Sequence, residues 1–185
     1  MRVVIIVVRR AKSAGTLRNP GLDGVVARIN VRGVDLFEEL RALLEGLRRE
    51  NLPYALCGGL AVAVYGITRA TEDIDLLIEE SGLPQIRALA EQLGYRFGPR
   101  PLRFKGDQVT IYRLFKVREE DLMVLDLLLV TPLTRPAWDS RQMVDTDFGP
   151  LQAVSPSGLI YLKSLRQSGQ DQDDIRKLKE IANEG

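Results

Sequence analysis

The chain has 185 residues, 45% of them hydrophobic, which is enough for one domain with a core of its own. It contains no histidine and one cysteine, Cys57; this excludes a Ser-His-Asp triad, a histidine base, a histidine or multi-cysteine zinc site and an internal disulfide. The net charge of +1 is uneven, since residues 1–33 hold seven basic side chains against Asp23 alone, a local +6 that leaves −5 on the remainder.

Val3–Val8 is apolar but too short to cross a bilayer, and Arg9-Arg10 follows it where a leader would have its cleavage site. The expectation is a basic arm over 1–33, unordered or carrying one edge strand, and a cytoplasmic protein without a membrane partner. Such an arm permits contact with a polyanion. From 34 to 185 the pattern is that of a folded domain. Val34–Arg49 reads as an amphipathic helix: Asp35 suits its N-cap, and Leu36, Leu40, Leu43, Leu44 and Leu47 form one stripe. Asn51-Leu52-Pro53 ends it. Tyr54–Cys57 is a short strand running into Gly58-Gly59, and Leu60–Tyr65 is a short helix stopped by Gly66. Glu72–Ile78 reads as a strand. Pro84 opens a helix over Gln85–Leu93 that Gly94 closes.

Leu102–Lys105, Gln108–Val117 and Leu122–Val130 read as strands whose short links imply antiparallel pairing. Thr131–Pro136 reads as a proline-broken loop and Ser140–Thr146 is ambiguous. Phe148–Val154 reads as an edge strand or hairpin arm. Ser155-Pro156-Ser157 starts a helix through Gln167, Ser168–Gln170 forms a turn, and Asp171–Ala182 is the last helix. The predicted class is α/β (α+β): a small mixed sheet with flanking helices and a helical C-terminus.

Asp73 and Asp75 lie two apart on a predicted strand, so their carboxylates share a face while Ile74 and Leu76 point into the core. Two carboxylates side by side repel unless a cation lies between them, and a hard divalent ion with oxygen ligands meets that need beside phosphates. Asp126 is the only charge in the run Leu122–Val130. Burying it without a partner is costly, and on a neighbouring strand it would join the same metal. Gly58 and Gly59 lack Cβ atoms, so their N–H groups can approach phosphate closely. Arg69 and Thr71, just ahead of the aspartates, suit phosphate charge and a hydroxyl hydrogen bond.

The order Gly58-Gly59, Thr71, Asp73-Ile74-Asp75-Leu76 and a later Asp126 on an apolar strand resembles the nucleotidyltransferase superfamily of the DNA polymerase β type. Within it the chain is similar to the small bacterial minimal and abortive-infection (AbiEii-like) branch. Leu162-Lys163 and Asp171-Gln172-Asp173-Asp174-Ile175 are similar to that family's lysine-bearing helix and Asp-x-x-Asp-Ile helix. The resemblance implies metal-dependent transfer of a nucleoside monophosphate from a nucleoside triphosphate (NTP) to an acceptor hydroxyl on a protein, a tRNA or a small molecule. It implies Mg²⁺ or Mn²⁺ on Asp73, Asp75 and Asp126 as catalytic ligands. It places the NTP on Gly58, Gly59, Arg69, Thr71 and Lys163. It also implies a toxin–antitoxin setting with an antitoxin or toxin partner. The family often has Ser where this chain has Gly59, so one hydroxyl contact to phosphate is missing. The alternative is a degenerate transferase fold that binds a nucleotide or a partner without turnover.

Overall fold

The computed structural model describes residues 5–6, 36–67, 69–118, 121–146, 149–166 and 169–183. Most of the basic arm and the Asp35 cap therefore lie outside the described residues. Within the arm, β1 (Ile5–Ile6) pairs antiparallel with β3 (Arg69–Ala70) as a two-stranded ribbon. It lies within Val3–Val8, where one edge strand was expected; the other residues of that stretch lie outside the described residues.

The leucine stripe forms α1 (Leu36–Arg49) and buries Leu36, Leu40, Leu43, Leu44 and Leu47. The helix stops where Asn51 takes a positive φ of 52°. Then follow β2 (Ala55–Cys57), α2 (Gly58–Val64), β4 (Asp73–Ile78) and α3 (Leu83–Gln92). Next come β5 (Arg96–Phe97), β6 (Leu102–Phe104), β7 (Val109–Arg118) and β8 (Asp121–Leu129). The chain ends in α4 (Arg135–Asp139), β9 (Gln142–Val144), β10 (Leu151–Ala153), α5 (Pro156–Arg166) and α6 (Gly169–Asn183).

Eight strands form one mixed sheet in the order β5-β7-β8-β4-β2-β10-β9, with β6 beside β5 along the outer edge of β7. The predicted antiparallel hairpins β6–β7 and β7–β8 are present. β4 and β8 run parallel, and so do β2 and β10. Two-residue alternation splits the sheet into two faces. Ile74, Leu76, Ile78, Leu125, Leu127 and Leu114 are buried on one. On that side Lys116 of β7 reaches Glu39 of α1 (2.6 Å), and Tyr95 donates to the same carboxylate (3.4 Å). The opposite face carries Asp73, Asp75 and Asp126 and looks toward α5.

Three segments differ from the sequence reading. The stretch around Pro136 is helical rather than a loop, because proline sits in the first turn of α4, where its missing N–H is not needed. Of the two readings of Phe148–Val154 the hairpin arm holds and the edge does not: β10 pairs antiparallel with β9, drawn from the ambiguous Ser140–Thr146, and lies between it and β2, so that β9 is the edge. Gly169 and Gln170, expected in a turn, already belong to α6.

Candidate active site

β4 and β8 are neighbours in parallel, with Asp73 opposite Val124 and Asp75 opposite Asp126. Adjacent strands lie about 4.8 Å apart, so the register alone sets Asp75 and Asp126 side by side on the face that Asp73 shares. Cys57, the last residue of β2, is opposite Asp75 on the other flank. The chain then turns through Gly58 with a φ of +63°. A Cβ on Gly58 would stand 1.9 Å from Asp75 Oδ2. Glycine is therefore required twice, by its backbone angle and by the carboxylate against it.

The aspartates do not share one environment. Arg113 of β7 is opposite Asp126 and grips both its oxygens, Nε to Oδ1 at 2.8 Å and a terminal nitrogen to Oδ2 at 2.7 Å. The Asp126 side chain is 7% exposed and that of Arg113 38%. Burial, then Asp126 and Asp73, raise the pKa of Asp75 to about 7 against the pull of Arg166 and Lys163. Asp73 is raised too, by burial and then by Asp126. The Cys57 thiol is pushed well up by burial, so it is no thiolate nucleophile.

Asp75 and Asp126 floor a cleft of about 560 Å³ between the sheet and α5, within the usual range for small-molecule sites. Gly58, Asp75, Asp126 and Lys163 line it, as do Arg113 and Arg166. Gly59 is buried behind Gly58 in the first turn of α2. The Thr71 hydroxyl is turned to the Asp73 backbone carbonyl at 3.5 Å. The Arg69 side chain lies outside the described residues. The Lys163 ammonium, expected at phosphate, is buried between Asp171 (3.1 Å) and Asp174 (2.7 Å), where it ties α5 to α6. Arg113 and Arg166 were not singled out from sequence. The period of two along β7 aims Arg113 at the site face only once β7 is known to adjoin β8. Arg166 is one helical turn beyond Lys163 on a predicted helix, and that spacing was the available signal.

Charge and donor chemistry fit a hard divalent ion: two carboxylates with raised pKa on one face, and a third beside them. Among the described residues, no three His, Cys, Asp or Glu side chains are already grouped to hold a metal. Convergence is present in the strand register, while the Asp126 oxygens are turned to Arg113.

Solved structures share this arrangement of strands and helices. A lincosamide antibiotic adenylyltransferase, LnuA, with lincomycin bound, is 19% identical, with a TM-score of 0.54 over 81% of this chain and 99% of its own. ANT(2″)-Ia in complex with adenylyl-2″-tobramycin is 17% identical, with a TM-score of 0.53 over 75% and 84% of the two chains. An antigenic nucleotidyltransferase-like protein from Paracoccidioides brasiliensis is 20% identical, with a TM-score of 0.50 over 80% and 78%. The fold is that of the nucleotidyltransferases. A family model described as aminoglycoside-2″-adenylyltransferase matches residues 39–121, less than half of the chain. It spans α1 through β7, including Gly58, Asp73 and Asp75, and stops short of Asp126. No curated protein matches the chain in sequence. Family model and structural neighbours together support a nucleotidyltransferase, with antibiotic adenylyltransferases among those neighbours; the abortive-infection branch expected from sequence finds no support in them. No helix among the described residues is long and apolar enough to cross a membrane.

Proposed function

We propose that this protein is a metal-dependent nucleotidyltransferase that moves a nucleoside monophosphate from an NTP to the hydroxyl of an acceptor bound in the same cleft. The observation that carries this reading is the register of β4 on β8, which sets Asp75 beside Asp126 with Asp73 on the same face and Gly58 against Asp75. Asp73, Asp75 and Asp126 would hold a divalent ion, Mg²⁺ or Mn²⁺. That ion would neutralise phosphate charge and orient the reacting groups. The backbone of Gly58 lines the cleft and would face the triphosphate. Arg166, and Arg113 beside Asp126, supply positive charge along the cleft.

The acceptor oxygen attacks the α-phosphorus and forms a new P–O bond. The bond from that phosphorus to the bridging oxygen breaks, and pyrophosphate leaves with the electron pair. The hydroxyl proton passes to one of the three carboxylates. The antibiotic adenylyltransferases with this fold favour a small-molecule acceptor over a protein or tRNA.

The test uses each of the four α-labelled NTPs with Mg²⁺ and a cell extract as acceptor, comparing wild type with Asp75→Ala. Label transfer that vanishes in the variant is the expected result. A wild type that neither transfers label nor binds a nucleotide with Mg²⁺ refutes the proposal. Metal-dependent nucleotide binding without transfer to any acceptor favours the non-catalytic binding module instead.

A further inference from the structure

The cleft has two ends of different character. One end holds Gly58, Asp75 and Asp126. From there it runs along β7 and β8, away from Asp73, over a continuous apolar floor. Ile111 lies opposite Leu128 on one side and Leu102 on the other, and Val109 lies opposite Phe104. All five line the cleft, with Leu162 of α5 across from them. Phe104 is 52% exposed and Leu102 38%. Apolar side chains left open at the mouth of a cleft mark a surface that a ligand covers.

The charges of the cleft are equally one-sided. Its acids are Asp75, Asp126 and Asp171. The first two belong to the transfer reaction, and Asp171 is paired with Lys163. Its cations are Lys105, Arg113, Lys163 and Arg166. A polycationic acceptor needs carboxylates to replace the water stripped from each ammonium group. Among the described lining residues no acid is left for that task. Lys105 and Arg166 would also repel such a ligand.

Resting on the transferase reading above, we infer that the apolar arm seats the acceptor, and that this acceptor is an uncharged alcohol with an apolar body rather than a polycationic aminoglycoside. Its hydroxyl lies at the Asp126 end and its body runs over Ile111 toward Phe104. The chemistry is unchanged: one P–O bond forms to the acceptor oxygen, the bond to pyrophosphate breaks, and the hydroxyl proton is released to a carboxylate.

The full chain is assayed with labelled ATP and Mg²⁺ against two probes, hexyl β-glucoside, which is neutral with an apolar tail, and tobramycin, which is polycationic. Binding of Mg²⁺-ATP is measured separately by calorimetry. Transfer to the glucoside should exceed transfer to tobramycin by about tenfold or more, as expected for apolar contacts of this size. Phe104→Glu places a charge at a half-exposed position that the fold tolerates. It should raise the KM for the glucoside by about tenfold and leave the KM for ATP within about twofold. Tobramycin as the better acceptor overturns the inference. So does a protein that binds Mg²⁺-ATP but uses neither probe. A Phe104→Glu effect that falls on ATP rather than on the glucoside gives the apolar arm to the nucleobase, and overturns it as well. Failure to bind Mg²⁺-ATP or any of the other three NTPs with Mg²⁺ is a different result, because it refutes the transferase reading on which the inference rests.

Discussion

Gly58→Ala tests the link between backbone and carboxylate. The residue holds a φ of +63°, where an alanine costs about 1 kcal/mol. Its new methyl group would meet Asp75 Oδ2 at 1.9 Å, Cγ at 2.4 Å and Cβ at 2.8 Å. The carboxylate must shift, and overpacking of this kind costs about 1–3 kcal/mol. The expected loss is about 3 kcal/mol, or ~6–12 °C in Tm for a chain of this length. A displacement of Asp75 by about 1 Å should cost about 100-fold in transfer rate. Urea unfolding and labelled-NTP transfer measure the two effects. Asp75→Ala removes the two closest atoms, so in that background the glycine substitution should cost about 1–2 kcal/mol, mainly the backbone strain and the remaining Cβ contact. Wild-type stability and rate in Gly58→Ala would refute the close approach. An equal penalty in both backgrounds would show that the strain lies in the backbone alone.

Asp75 predicts a pH dependence for the metal-free protein. Its pKa is raised in the fold from 3.8 to about 7, so its contribution to stability is present below about pH 4 and is lost as pH rises through 7. Asp73 acts in the same direction. Asp75→Asn should flatten this loss and be more stable at pH 8 by about 1–3 kcal/mol, a figure discounted for the surface Asp75 keeps accessible; identical urea midpoints from pH 4 to 8 would count against it. Lys163→Met removes the cation that Asp171 and Asp174 share, and should cost about 3 kcal/mol. Adding Asp171→Asn and Asp174→Asn should restore most of that; unchanged stability with weakened NTP binding would return Lys163 to a phosphate role. Arg113→Met leaves Asp126 without its fork and should cost about 1–3 kcal/mol. Mg²⁺ should then raise the Tm of the variant more than that of wild type, because the ion takes over the neutralisation of Asp126; equal or smaller shifts would contradict a metal at Asp126.

Much of the fold was legible because its elements announce themselves locally. The α1 leucines recur with helical period, β4 opens with two aspartates at alternate positions, and Leu122–Val130 is an apolar run interrupted by Asp126 alone. Strand order was not legible, since β10 enters the sheet between β2 and β9 through contacts far apart in sequence. Of the two readings of Phe148–Val154, the hairpin arm held and the edge did not, because a three-residue strand that also pairs in parallel with β2 carries no local mark of a central place. The α4 helix was missed because a proline breaks a helix in its interior but suits its first turn, and five residues are too few to show a period.

The site was legible to the extent that charge in an apolar setting demands a partner. Asp126 was singled out because a lone charge in a buried strand must be compensated. That reasoning holds, and a compensation visible in the fold is Arg113, one strand over. Lys163, which the family resemblance sets at the phosphates, is buried between two aspartates of α6. In both cases sequence identified a side chain that needed an opposite charge, and topology chose which one it met. Asp75 is the exception. Its neighbours on the face are acids, and burial raises its pKa to about 7. Setting such a carboxylate beside two others costs stability that a bound cation would offset, and the pH and Mg²⁺ responses of Asp75→Asn and Arg113→Met measure that offset directly.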